Sequence, residues 1–101
     1  MKINKLSKLI LPTLQRYSII RAAVFGSTVR SETTESSDID LLVEFPKSSS
    51  LLDLVGLTQD LEGLLHRKVD IITYDSIHPL LKEEILSEKV AIYEQAKTEV
   101  H

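Results

Sequence analysis

The 101-residue sequence has no cysteine, few aromatic residues and no long apolar run. Without cysteine, neither a disulfide framework nor a cysteine-based zinc site is available. Its five aromatic residues, three Tyr and two Phe, are too few for a platform that stacks nucleic-acid bases. No stretch approaches the roughly 18 apolar residues of a membrane span. The first apolar patch is interrupted by Lys5 and Lys8, so it does not resemble a signal peptide. We therefore expect no membrane association and a cytoplasmic location.

The sequence also lacks an excess of basic residues. Twelve Lys and Arg stand against 15 Asp and Glu, which gives a formal net charge of −3. Because affinity for a phosphate backbone comes from Lys and Arg that release counterions, a template-directed polymerase is disfavoured and no nucleic-acid template is expected. With 43% hydrophobic residues, the chain suits one globular domain over residues 1–101, with a frayed tail from 95. It is too short for a separate substrate domain.

The most informative stretch is residues 24–45, where two apolar runs flank a loop rich in Ser, Thr and Glu. This pattern predicts a strand, a turn into a short helix, a loop and a second strand. Gly26 and Ser27 end the first run, and Asp38-Ile39-Asp40 begins the second. Because residues two apart in a strand point the same way, Asp38 and Asp40 are expected to share one face.

Paired carboxylates of this kind suit the binding of a divalent metal. They repel each other unless cations lie between them. Mg²⁺ prefers carboxylate oxygen, and two ions about 4 Å apart can clamp an in-line displacement at phosphorus. Asp70 is the candidate third ligand, since it interrupts the apolar run from Val69 to Thr73. The alternative for Asp70 is an ordinary carboxylate at a strand edge.

The other end of the stretch suits a phosphate. Gly26 lets the backbone turn tightly and approach a ligand. Backbone N–H groups at a helix start, together with the Ser27 hydroxyl, suit triphosphate oxygens. Arg30 lies one helical turn further and is within reach of a phosphate, although a solvated Arg fits the pattern equally well.

Gly26-Ser27, ten intervening residues and Asp38-x-Asp40 together resemble the signature of the polymerase-beta-type nucleotidyltransferase superfamily. The short chain resembles its minimal nucleotidyltransferase (MNT) branch, over residues 20–93. The resemblance implies that the Gly-Ser turn holds a nucleoside triphosphate, with ATP as the substrate. It also implies that Asp38, Asp40 and Asp70 bind two Mg²⁺ ions while a nucleotide monophosphate is transferred and pyrophosphate is released.

The resemblance further implies a partner. MNT proteins similar to this one are commonly paired with a small helical HEPN-domain ribonuclease toxin encoded nearby, which they neutralise, in several cases by adenylylating a tyrosine. The implied function is therefore an antitoxin that transfers AMP from ATP. Two alternatives stay open: a binding module that holds a partner without chemistry, and transfer to a small molecule such as an antibiotic. The absence of an acceptor domain favours a protein acceptor.

The remaining segments predict the layers that support this site. Apolar periodicity predicts helices over residues 4–17, 51–66 and from Asp75 or Ser76 to 88. Apolar runs predict strands over residues 19–25, 38–45, 69–73 and 90–93. The residues expected to face inward on the second and third of these helices are Leu54, Leu57, Leu61, Leu64, Leu65, Ile77, Leu80, Leu81 and Ile85. This order predicts an α/β fold with a mixed sheet of about four strands and helices packed against it, and the resemblance makes it nucleotidyltransferase-like.

Overall fold

A computed structural model of the protein describes residues 3–29 and 38–95. The elements in this part of the chain are α1 (Ile3–Arg16), β1 (Arg21–Val24), a 3₁₀ turn (Gly26–Thr28), β2 (Ile39–Glu44), α2 (Leu51–Leu65), β3 (Val69–Thr73), a second 3₁₀ turn (Tyr74–Ser76), α3 (Pro79–Glu88) and β4 (Val90–Glu94). The predicted α/β class and the order of its helices and strands are confirmed. Residues 96–101 of the predicted frayed tail lie outside the described residues. Gln95, the first residue of that tail, is held in place, since its N–H donates to the Ile20 carbonyl at 2.7 Å.

The described strands form one mixed sheet in the order β3-β2-β1-β4. β1 is antiparallel to both of its neighbours, and β2 is parallel to β3. Ala22, Ala23 and Val24 of β1 are at most 1% exposed, as expected for a central strand covered on both faces. The predicted mixed sheet is therefore confirmed.

The two faces of the sheet carry cores of different size. On one face, which we call the closed face, α1 and α2 cover the sheet. The buried side chains there are Leu6, Ile10, Leu14, Ile19, Ala22, Val24, Ile39, Leu41, Val43, Leu57, Leu61, Leu65 and Val69. On the opposite, open face, the core is built on Ala23, Leu42 and Ile77, with partly buried residues of α3 packed against it. Since a fully buried Leu or Ile contributes about 1.5–3 kcal/mol, the closed face supplies most of the hydrophobic stabilisation.

α1 runs through Pro12 without ending there. Proline lacks the N–H that would bond to the carbonyl of Lys8, and because Lys8 is exposed, water can satisfy that carbonyl. Leu6, Ile10 and Leu14 are buried at helical spacing, whereas Leu9 is 40% exposed. No helix in the described part of the chain has the length and apolar character needed to cross a membrane.

α2 begins at Leu51, as predicted. Ser50 is its N-cap, and its N–H donates to the Asp53 carboxylate at 2.8 Å, which is half of a capping box. Three of its predicted inward leucines are buried: Leu57, Leu61 and Leu65. The prediction for Leu64 is wrong, since this side chain is 44% exposed. Successive helical residues point about 100° apart, so Leu64 and its neighbour Leu65 do not both face the sheet.

Tyr17, directly after α1, connects this helix to α2. Its hydroxyl donates to the Asp60 carboxylate at 2.6 Å, and the Arg16 guanidinium reaches the same oxygen at 3.3 Å. A Cβ on Gly56 would lie 2.8 Å from the Tyr17 hydroxyl oxygen. Gly56, which costs α2 about 1 kcal/mol in helix propensity, therefore leaves room for this contact.

α3 differs from the prediction at its beginning. Asp75 and Ser76 form part of a 3₁₀ turn, and the helix starts at Pro79 with His78 as its N-cap, whose Nδ1 accepts the N–H of Leu80 at 3.1 Å. The inward orientation predicted for Leu80 and Leu81 is wrong, because they are 86% and 49% exposed. The core of the open face is small, and none of its buried residues in the described part of the chain belongs to α3.

Candidate active site

The turn after β1 lies directly against the start of β2. Gly26 has φ +61°, in the left-handed region that glycine adopts with little cost. A Cβ at this position would lie 2.7 Å from Oδ2 of Asp40. The backbone of this turn and the Asp40 carboxylate are therefore in close contact, and position 26 requires glycine for two separate reasons.

Hydrogen bonds hold the turn against β2. The Val29 N–H donates to the Gly26 carbonyl at 3.1 Å, and the Phe25 N–H donates to the Asp40 carbonyl at 3.2 Å. The N–H of Asp40 in turn donates to Oγ1 of Thr28 at 3.0 Å, and Thr28 is only 6% exposed. Thr28 therefore positions the turn relative to Asp40. Sequence reasoning missed this role, although a hydroxyl inside a glycine turn is a residue type that bonds to nearby backbone.

Asp70 lies beside Asp40. In the parallel pairing of β2 and β3, these two residues are register partners. Strand alternation places both on the open face, the face of Leu42 and Ile72. The Asp70 side chain is 47% exposed, and its Oδ1 is 4.0 Å from Nζ of Lys68. Two of the three predicted carboxylates therefore project from neighbouring strands on the open face.

Asp38 lies one residue before β2 and is partly buried. The next residue is fixed to β3 by the Ile39 N–H, which donates to the Lys68 carbonyl at 2.9 Å. Among residues 3–29 and 38–95, no group of three or more His, Cys, Asp or Glu side chains is arranged to hold a metal ion. The donor chemistry of three carboxylates nevertheless suits Mg²⁺, a hard cation with oxygen ligands. The metal site of Asp38, Asp40 and Asp70 therefore stays a prediction.

Besides Gly26, the predicted phosphate contacts are Ser27 and Arg30. Ser27 occupies the middle of the Gly26–Thr28 turn. Its side chain, like the whole of Arg30, lies outside the described part of the chain. The contacts predicted for both with a triphosphate therefore also stay predictions.

A cavity of about 470 Å³ lies away from these residues. It is formed where β2 and β3 end and α2 begins, and its lining includes Glu44, Lys47 and Asp75. Of the predicted site residues that the structure describes with their side chains, none lines it. Asp40 and Asp70 lie near the opposite ends of the same two strands. The cavity and the predicted chemistry therefore point to different places. We favour the chemistry because the Gly26 turn contacts Asp40 and Asp40 is the register partner of Asp70.

Comparisons of this chain with known proteins agree on one family. The chain matches the nucleotidyltransferase domain family over residues 6–92. The Methanocaldococcus jannaschii protein MJ0435, named as a candidate protein adenylyltransferase, is 51% identical over 92 residues, which cover 91% of this chain and 99% of that protein. A solved structure described as a candidate minimal nucleotidyltransferase has a TM-score of 0.76 at 39% identity, with 89% of this chain and 95% of that chain covered.

A further solved structure shares the fold. It contains a tri-AMPylated Shewanella oneidensis HEPN toxin in complex with an MNT antitoxin, and its matching chain has a TM-score of 0.71 at 18% identity. The match covers 92% of this chain and 73% of that chain. At this identity the likeness shows the common fold.

Proposed function

The chain belongs to the nucleotidyltransferase domain family, and from this premise we propose that it transfers AMP from ATP to a tyrosine of a HEPN-type toxin and acts as the antitoxin. The observation that carries the proposal is the contact between the Gly26 turn and the Asp40 carboxylate. A turn that binds phosphate and a carboxylate that binds the associated metal must be adjacent. The register pairing of Asp40 with Asp70 adds a second carboxylate at the same place.

Each predicted site residue has a role in this reaction. The Gly26 backbone and the Ser27 hydroxyl bind triphosphate oxygens, and Arg30 contacts a phosphate. Asp38, Asp40 and Asp70 would hold two Mg²⁺ ions. When bound, these ions would neutralise the charge that develops on the phosphates. The tyrosine oxygen forms a bond to the α-phosphorus and its proton is released to the solvent. The bond from that phosphorus to the oxygen that bridges it to the β-phosphorus breaks, and pyrophosphate leaves.

The open face of the sheet supports a protein acceptor. Asp70 is about half exposed there, and the buried core of this face is small. A reacting group needs its surroundings to exclude water, so another molecule has to supply the second wall of the site. The solved complex of an AMPylated HEPN toxin with an MNT antitoxin supports the identity of that molecule.

The test is mass spectrometry of the partner after incubation with this protein, ATP and Mg²⁺. We expect a mass increase that corresponds to AMP on a tyrosine. Asp40→Asn should abolish the increase, whereas Asp75→Asn should not, because Asp75 is an exposed carboxylate outside the site. Stable co-purification without any mass change would contradict transfer and favour the non-catalytic binding module. AMP found on a small molecule instead would favour the third alternative.

A further inference from the structure

A second cavity is lined by three cationic side chains, and no acidic residue lines it within residues 3–29 and 38–95. It has a volume of about 320 Å³ and is lined by Arg21, Tyr74, Ile77, Lys82, Leu86 and Lys89. We call it the cationic cavity. Its three positive charges are unexpected in a chain whose net charge is −3. Its apolar wall includes Ile77, which belongs to the core of the open face.

Tyr74 holds two of the three cations in place. The Arg21 guanidinium carbon lies 3.9 Å from the centroid of the Tyr74 ring, and Nζ of Lys89 lies 5.1 Å from it. Nζ of Lys89 is also 3.4 Å from the Tyr74 hydroxyl oxygen. A single aromatic ring therefore fixes two like charges at one wall of the cavity, although like charges repel.

The local carboxylates compensate this charge only in part. Arg21 Nε pairs with Glu44 at 2.7 Å, and the guanidinium carries further N–H donors beyond Nε. Lys82 forms no ion pair within the described part of the chain. Lys82 is exposed on α3, the partly buried Lys89 directly follows that helix, and both side chains line the cavity.

We propose that the cationic cavity binds a small phosphate-bearing anion, separately from the Gly26 turn. Lys and Arg together supply many N–H donors to the oxygens of one phosphate group. The apolar wall lowers the local dielectric and so strengthens these contacts. The volume lies at the lower end of the range for ligand pockets, about 300–1,000 Å³, and so suits pyrophosphate or a mononucleotide.

The test is calorimetry of the full chain in EDTA and a phosphate-free buffer, with sodium pyrophosphate and AMP as separate probes. EDTA removes divalent metal, so the proposed catalytic site should not bind either probe tightly. We expect saturable binding of at least one probe, and the comparison of the two distinguishes a bare phosphate group from a nucleotide as the ligand. Lys82→Gln and Lys89→Gln should each weaken binding by roughly tenfold, the scale of a lost charged hydrogen bond.

The matched control is Lys8→Gln, which removes the same charge from an exposed position on α1. It should change the affinity by less than about twofold, since exposed charges at a distance are screened by salt. Reaction with an acetylating reagent gives an independent readout: the bound anion should protect Lys82 and Lys89 but not Lys8.

Three results would overturn the proposal. They are the absence of saturable binding of either probe at millimolar concentration, an equal loss of affinity in Lys8→Gln, and a tenfold change on Asp40→Asn, which would place the anion at the Gly26 turn. None of these measurements depends on AMP transfer, so failure of this proposal and failure of the proposed function are distinguishable.

Discussion

Gly26 and Asp40 constrain each other although they belong to different segments of the chain. The positive φ of Gly26 would disfavour any other residue, and the Asp40 carboxylate occupies the space a side chain would need. Thr28 reinforces the arrangement through the N–H of Asp40. At this scale, the position of the carboxylate depends on the absence of one methyl group.

Gly26→Ala should therefore harm both stability and activity. An alanine in the left-handed region costs about 1–2 kcal/mol, and the new Cβ would also displace the Asp40 carboxylate. We expect AMP transfer to fall by orders of magnitude. The matched control is Gly63→Ala, where the added Cβ meets no atom within 4 Å and the helix should gain about 1 kcal/mol. Denaturant unfolding and transfer rates measure both effects, and normal transfer by Gly26→Ala would contradict the role of the turn.

Asp38→Asn and Asp40→Asn should separate catalysis from folding. If these carboxylates hold metal, their repulsion is unfavourable in the metal-free protein, so either amide should leave the melting temperature in EDTA unchanged or slightly higher. Transfer in Mg²⁺ should fall by orders of magnitude, because the transition state needs the metal charge more than the ground state does. Variants that melt early but transfer AMP normally at low temperature would show that the two residues are structural.

At the scale of elements, the sequence predicts the order and type of the helices and strands well. It predicts less well which side chains of a helix face the sheet. The buried run of residues 22–24 and the stripe of Leu57, Leu61 and Leu65 follow directly from apolar spacing. The start of α3 does not follow from the sequence. Asp75 and Ser76, where the helix is expected to begin, lie in a 3₁₀ turn, and the helix starts at Pro79. Sequence alone gives no measure of how much sheet surface is left for Leu80 and Leu81 to cover.

Contacts between distant residues form the second group that sequence reasoning missed. The partner of a polar side chain is set by how two helices pack, as for Tyr17, Asp60 and Gly56, and no local pattern encodes it. The pairing of Asp40 with Asp70 is a different case: the sequence names Asp70 as the candidate third ligand, but only the sheet order makes it the neighbour of Asp40.

The contact between α1 and α2 predicts a pH dependence. The hydrogen bond to the Asp60 carboxylate, with a smaller contribution from desolvation, raises the pKa of Tyr17 above its usual value. The stability gained from the protonated phenol is therefore fully present below about pH 10 and is lost as pH rises through the folded-state pKa. Asp60→Asn removes the main cause, so Tyr17 should titrate at lower pH in that variant. The ¹³C chemical shift of its Cζ measures this directly, and an unchanged midpoint would contradict the assignment.

At the scale of the whole molecule, the two faces of the sheet carry different kinds of side chain. The closed face buries most of the apolar side chains, while the open face carries Asp40, Asp70 and the cationic cavity. A stable core on one side permits charged groups to gather on the other. The proposed binding of nucleotide and partner on the open face would therefore leave the packing of the closed face unchanged.

Nucleotide binding should require a divalent metal. A triphosphate and three carboxylates repel each other in one site unless cations lie between them. Calorimetry with ATP should show strong binding in Mg²⁺ and little in EDTA, and Ser27→Ala should weaken the Mg²⁺-dependent binding by about 1–2 kcal/mol. Equal affinity in both buffers would remove the metal from the proposal, and an unchanged affinity in Ser27→Ala would limit Ser27 to a structural role.

The antiparallel pairing of β1 with β2 has a thermodynamic consequence. One strand leads into the Gly26 turn and the other carries Asp40, so breaking their ladder, from Arg21 with Glu44 to Val24 with Leu41, separates the two halves of the site. The hydrogen bonds between β1 and β2 and the assembled site then form together, in a single equilibrium. A ligand that contacts both halves stabilises the closed hairpin by mass action, and the amide protons of β1 and β2 should exchange more slowly as ligand concentration rises.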